Sequence, residues 1–166
     1  MTVPLAKGNI ALLNAAHKAN VALGERAVSS DFVANIKQHP EITFLIRTAQ
    51  LPELKRGDPV EDQGQFGQGF SQYGAVKRDG DMAFQIVEIK LGQVGRTLSS
   101  IINNKEYVDI EITMTGEDMI PHGYELQNCV ISTDAVDLDT ENRTGPVRIP
   151  MNARYNWFEE IGGYAL

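Results

Sequence analysis

Between residues 70 and 114 the apolar side chains change period twice, from two to about 3.6 and back to two, and that order restricts the fold sharply. Stretches 70–78 (FSQYGAVKR) and 81–90 (DMAFQIVEIK) flank Asp79-Gly80, a dipeptide suited to the positive φ angles of a tight type I′ turn. The pattern predicts a β-hairpin. After Leu91-Gly92, the residues Val94, Leu98, Ile101 and Ile102 fall at i, i+4, i+7 and i+8, which places one apolar stripe on a helix over about 93–103, ended by Asn103-Asn104. Residues 106–115 (EYVDIEITMT) then alternate strictly, with Val108, Ile110, Ile112 and Met114 on one face and Tyr107, Asp109, Glu111 and Thr113 on the other. A one-faced helix between one-faced strands has to lie on a sheet, so the chain reads as mainly β within the α+β class.

The flanking segments extend that reading. Residues 147–158 (VRIPMNARYNWF) set Val147, Ile149, Met151, Ala153, Tyr155 and Trp157 against a more polar face that carries Pro150. Proline has no ladder N–H, so either an edge or a bulge lies there. Residues 41–51 (EITFLIRTAQL) read as a strand covered on both sides, with Ile42, Phe44 and Ile46 opposite Thr43, Leu45 and Arg47. In 124–137 the apolar order slips around Cys129, as at a bulge or a doubly covered strand. Asn9 is placed to cap an alanine-rich helix reaching about Leu23, and Ser30 to cap a second over 31–37 before Pro40. Few large apolar groups occupy this region, which makes residues 1–40 an extended or partly helical arm suited to docking on a neighbour. Turns are expected over 116–123 and 139–146. Residues 52–69 (PELKRGDPVEDQGQFGQG), with two prolines and four glycines, read as a long central loop. Phe66 and Phe70 in so polar a setting need somewhere to bury, in their own domain or, failing that, against a neighbour. No repeat or linker divides the chain, so a single domain over 1–166 is expected, with a β core over 41–160.

Charge narrows function. The net charge is −7, yet ten acidic residues and no Lys or Arg occur between Glu106 and Glu141, against 12 acids and 15 bases elsewhere. An acidic face repels phosphate and opposes ordinary nucleic-acid binding. It is either a solvated surface or a functional one. No run reaches the length of a membrane span, and the N-terminus reads poorly as a signal peptide, so an unanchored protein made in the cytosol is expected. Cys129 is the only cysteine. His17, His39 and His122 share no metal-ligand spacing. Asp137, Asp139 and Glu141 alternate as calcium ligands can, but an EF-hand's sixth and twelfth places hold Asn142 and Arg148. The glycines of GQFGQG open no helix and precede no Lys-Ser/Thr, so they make no phosphate loop. Nothing in the residues calls for an enzyme or a cofactor.

A strand running into Leu-Pro (FLIRTAQLPELKRG), a polar Gly-rich excursion, a β-hairpin ending FQIVEI, one helix (GQVGRTLSSIINN), the EYVDIEITMT strand and a terminal alternating strand together resemble the tail tube proteins of long-tailed, contractile bacteriophages. The resemblance spans roughly 41–160. It implies a β-sandwich or small open barrel flanked by one helix, assembling as hexameric rings that stack helically into the conduit for genome ejection. The fold is shared with the inner tubes of type VI secretion and pyocin-like machines. Also implied are a sheath, baseplate and tail terminator as partners, double-stranded DNA as passing cargo only, and a place in the virion tail after assembly in the host cytoplasm.

Within this resemblance Asp109, Glu111, Thr113, Glu125 and Gln127 are expected to face the lumen, where like charge keeps DNA from sticking. The alternative pairs these acids between rings with Lys55, Arg56, Lys77 or Arg78. Gln65, Phe66 and Phe70 are expected at subunit contacts with those four cations. A monomeric ligand-binding barrel and a hydrolase using Asp109 and Glu111 stay open as readings from other classes.

Overall fold

The computed structural model describes residues 9–165, which fall into two compact units divided between Ser30 and Asp31. The first eight residues of the expected arm lie outside the described part. In the first unit, helix α1 (Ile10–Leu23) begins where expected: Asn9 Oδ1 accepts the Ala11 N–H at 3.0 Å. It ends at Gly24, whose φ of 78° is left-handed, and none of its residues is buried.

The second unit is built from nine strands and helix α2. They are β1 (Phe32–Ile36), β2 (Ile46–Thr48), β3 (Val60–Gln63), β4 (Gly69–Gln72), β5 (Gly80–Val87), α2 (Gln93–Asn103), β6 (Val108–Met114), β7 (His122–Thr133), β8 (Arg148–Tyr155) and β9 (Trp157–Gly162). The main sheet runs β1-β6-β7-β8-β5-β2, with β9 also on β7, while β3 and β4 form a separate ribbon. All pairings are antiparallel. Residues 122–127 of β7 pair with β9, and residues 130–133 pair with β8. Strand β7 therefore belongs to two layers, β1-β6-β7-β9 and β7-β8-β5-β2, which make a nearly closed, barrel-like sheet.

The layers part at a double bulge. Asn128 takes a φ of 53°, and Asn156 spans the break, donating its N–H to Gln127 O at 3.2 Å and its side-chain amide to Asn128 O at 2.9 Å. Burial parity shifts at both points: Tyr124 and Leu126 give way to Cys129 and Ile131, and Tyr155 gives way to Phe158. The extra residues keep one face inward through the corner. Pro150 lies at the far end of β8, past the last β7–β8 pair Thr133↔Met151, where its carbonyl accepts the Asp134 N–H at 3.2 Å as β7 runs out.

Helix α2 matches its apolar stripe. Val94, Leu98 and Ile101 are buried, and Ile102 is half-exposed. Its start is fixed by Glu88, whose carboxylate accepts N–H groups from Ile89, Val94 and Gly95 at 2.9, 3.1 and 2.7 Å. In β6, Val108, Ile110 and Ile112 face the core as the alternation requires, and Cys129 lies among them, with burial pushing its thiol up to about 12.

Four expectations are overturned. Residues 70–78 and 81–90 do not pair: β4 pairs with β3, and β5 lies between β8 and β2. Gly80 is required for a different reason, since a Cβ there would meet the Tyr155 hydroxyl at 2.6 Å. The segment after Ser30 is strand β1, whose Ala34 and Ile36 alternate inward, and not a helix. Residues 40–45 coil into a 3₁₀ turn with Pro40 at its start, leaving only three residues of strand after it and Phe44 exposed. The central loop contains the β3–β4 ribbon, closed through Gly64 N–H to Gln68 O at 2.7 Å.

Candidate assembly surfaces

Antiparallel register places the outward side chains of the β1-β6-β7-β9 layer in rows. One row runs Asn35, Glu111, Glu125, Glu159, in which three adjacent strands each contribute a glutamate. Asp109 and Thr113 flank Glu111 along β6, and Gln127 flanks Glu125 along β7, so the five residues expected to share a lumen face do share one face. Like charges directly opposite each other repel. Lys37 relieves this, its Nζ lying 2.8 Å from Glu125 and 3.9 Å from Glu111. The Glu125 hydrogen bond raises the Lys37 pKa, with the surrounding carboxylates adding to it. Asp109 is a structural acceptor as well, taking the Asn128 N–H at 3.0 Å and so closing the bulge. Thr113 donates to Glu111 at 3.2 Å.

Lys37 and Glu159 were missed by sequence reasoning. The signal for Lys37 was present in the two-residue spacing of Phe32, Ala34 and Ile36, which continues past the strand. Glu159 enters the row only through the Asn156 break, which shifts the parity of everything after it.

The layer has two bare edges. Strand β1 pairs only with β6, and β9 only with β7, among the described residues. Unpaired N–H and C=O groups along such edges are templates for another strand.

The second surface is the excursion over 52–78. Every residue of β3 and β4 is exposed. Gln65 and Phe66 lie at the tip, where Phe66 has a φ of 61° and is fully exposed, and Phe70 is 63% exposed. At the base, Leu54, Tyr73 and Val76 line an open groove of about 340 Å³ with Lys55, Arg56, Lys77 and Arg78. Two of these cations are engaged internally. Lys55 pairs with Glu53 at 2.6 Å, and Arg78 reaches Glu160 at 2.9 Å while stacking over Phe158. Glu160's own backbone N–H, then Arg78, hold its carboxyl below the ordinary value.

The chemistry of an enclosed site is not built here. Among the described residues no polar or charged side chain is buried, and no cluster has the makings of a metal site. Asp109 and Glu111 sit on an open sheet face.

No family model matches the sequence, and no curated protein matches it. Solved structures do. A chain of the sheath–tube complex of an extracellular contractile injection system, PVC, in the extended state is 11% identical, with a TM-score of 0.64 over 87% of this chain and 97% of that one. The tube-terminating cap of the anti-feeding prophage is 12% identical, with a TM-score of 0.68 over 87% and 96%. A chain of the baseplate of the same prophage is 14% identical, with a TM-score of 0.56 over 84% and 97%. At such identities the likeness is one of architecture, and it settles that much: this chain has the tail-tube-like fold found in parts of contractile injection machines.

Proposed function

We propose that the protein is a structural, non-catalytic subunit of a contractile tail, which joins identical copies into hexameric rings that stack into a hollow tube. The observation that carries this reading is the four-stranded layer with two bare edges, buried on one face and acidic on the other, in a chain with this fold. Side-by-side copies would pair β1 with β9 of the next subunit, and closing that series in a ring removes both bare edges of the layer. Its outer face, with Asp109, Glu111, Thr113, Glu125 and Gln127, then lines the bore. The row Glu111, Glu125, Glu159 with a single Lys37 keeps that wall negative, and a polyanion such as DNA passes without sticking. Gln65, Phe66 and Phe70 reach a neighbour from the excursion, and residues 1–30 do the same. Sheath, baseplate and terminator proteins are the partners, and the virion tail, assembled in the host cytoplasm, is the location.

Negative-stain microscopy of the purified protein tests this. Rings or hollow rods are expected, and discrete monomers at high concentration would sink it. The terminating cap's TM-score of 0.68 favours a second reading, a terminator that closes one tube end. That reading predicts single rings that never lengthen.

A further inference from the structure

The loop over 134–147 has no regular structure, and all its residues are exposed. It carries Asp134, Asp137, Asp139 and Glu141 around Val136 and Leu138, the latter 78% exposed. It is not slack: Asp134 Oδ2 accepts from the Asn152 amide at 2.8 Å, Asp139 Oδ1 accepts the Glu141 N–H at 2.9 Å, and Asn142 Oδ1 accepts the Gly145 N–H at 3.0 Å. What this presents is an apolar–acidic alternation, Val136-Asp137-Leu138-Asp139, with no cation paired to it among the described residues.

The groove at the base of the excursion is its chemical complement. Leu54, Tyr73 and Val76 are 66%, 87% and 60% exposed there. Among the described residues Arg56 and Lys77 have no carboxylate within salt-bridge distance, and Arg56 is held over the Tyr73 ring at 5.9 Å. The two features belong to opposite ends of one strand pair. The groove precedes Gly80, which is opposite Tyr155, while the loop leads into Arg148, which is opposite Val87. Eight paired residues separate them by about 25 Å. A loop cannot reach its own groove, but the loop of the next copy can.

We propose that residues 134–141 of one copy dock in the groove of the next, with Val136 and Leu138 against Leu54, Tyr73 and Val76, and Asp137 and Glu141 on Arg56 and Lys77. The contact is heterologous and joins opposite ends of the strand pair, so repeating it without closure extends the assembly end to end. It deepens the tube reading and rests on it, naming the surfaces that stack. A labelled peptide of residues 132–143 is titrated into the intact chain and followed by fluorescence anisotropy. Saturable binding is expected, at least tenfold weaker for Arg56→Glu with Lys77→Glu. In rods viewed by negative stain, that pair and the pair Asp137→Lys with Glu141→Lys each stop lengthening, and all four together restore it. Circular dichroism melts unchanged from the parent confirm that each variant is folded. The proposal is overturned if the peptide does not bind, if either reversed pair lengthens like the parent, or if the fourfold variant fails to recover. A peptide that binds a chain which never polymerises supports the docking while defeating the tube reading.

Discussion

Strand β6 and the β3–β4 ribbon are both antiparallel, and both are short, yet they hold their shape by different means. In β6 every second side chain is driven into the core, with Val108 and Ile110 at 0% exposure and Ile112 at 2%. In β3 and β4 no side chain is buried, and backbone hydrogen bonds hold the pair, in a four-residue ladder from Val60↔Gln72 to Gln63↔Gly69 with Gly64–Gln68 at its tip and Gly57–Ala75 at its base. A two-stranded ribbon without a covered face is marginal in water. The first region is covered within one molecule, whereas the second leaves Phe66 and Phe70 as large apolar groups exposed at its surface.

The sharpest way to break this contrast is a paired truncation. Phe84→Ala in the core is expected to cost about 3–5 kcal/mol in urea denaturation, while Phe66→Ala stays within about 0.5 kcal/mol yet reduces rod formation. If both lose stability alike, the ribbon is part of the core after all. Next in size is Gly123→Ala in β7, where a Cβ would sit 1.9 Å from the Ile112 carbonyl of β6. About 1–3 kcal/mol should be lost as the strands are forced apart. Deleting 60–72 across a short Gly-Ser bridge should, by contrast, leave the melting temperature near the parent's and abolish polymerisation.

Glu88→Gln refines the comparison inside the core, since the neutral amide holds the α2 N-terminus less well than a carboxylate taking three N–H groups. About 1–2 kcal/mol is expected to be lost. The smallest effect concerns Glu160. Its folded pKa is below the ordinary value, so its contribution is present above the unfolded value and fades as pH falls through the folded one. The difference in urea midpoint between the parent and Glu160→Gln should shrink between about pH 5 and pH 3. A gap that widens on acidification would reverse the sign assigned to the Arg78 pair.

The parts of this fold that were legible beforehand are those in which one physical signal acts alone. The stripe Val94, Leu98, Ile101 and the alternation of 106–115 each specify a buried face, and both stand. The Asn9 cap stands for the same reason, being a local hydrogen bond. Asp79-Gly80 misled because a glycine next to an aspartate signals a turn by dihedral preference, whereas here the missing Cβ makes room for Tyr155, a residue 75 positions away. Residues 41–45 alternate like a strand, but Pro40 starts a 3₁₀ turn and carries the chain out of line. On the acidic face, Asp109, Glu111 and Thr113 were legible from strand period. Their neighbours Lys37 and Glu159 depended on strand pairing and on a bulge, neither of which is written locally.

The corner at Asn128 and Asn156 has a mechanical consequence. Because β7 runs from one layer into the other, the two are joined at that corner by continuous backbone as well as by the side chains packed between them. A thrust delivered to one layer passes to the other through covalent backbone, so a wall made of such bricks would transmit a push along its axis without first giving way inside the brick.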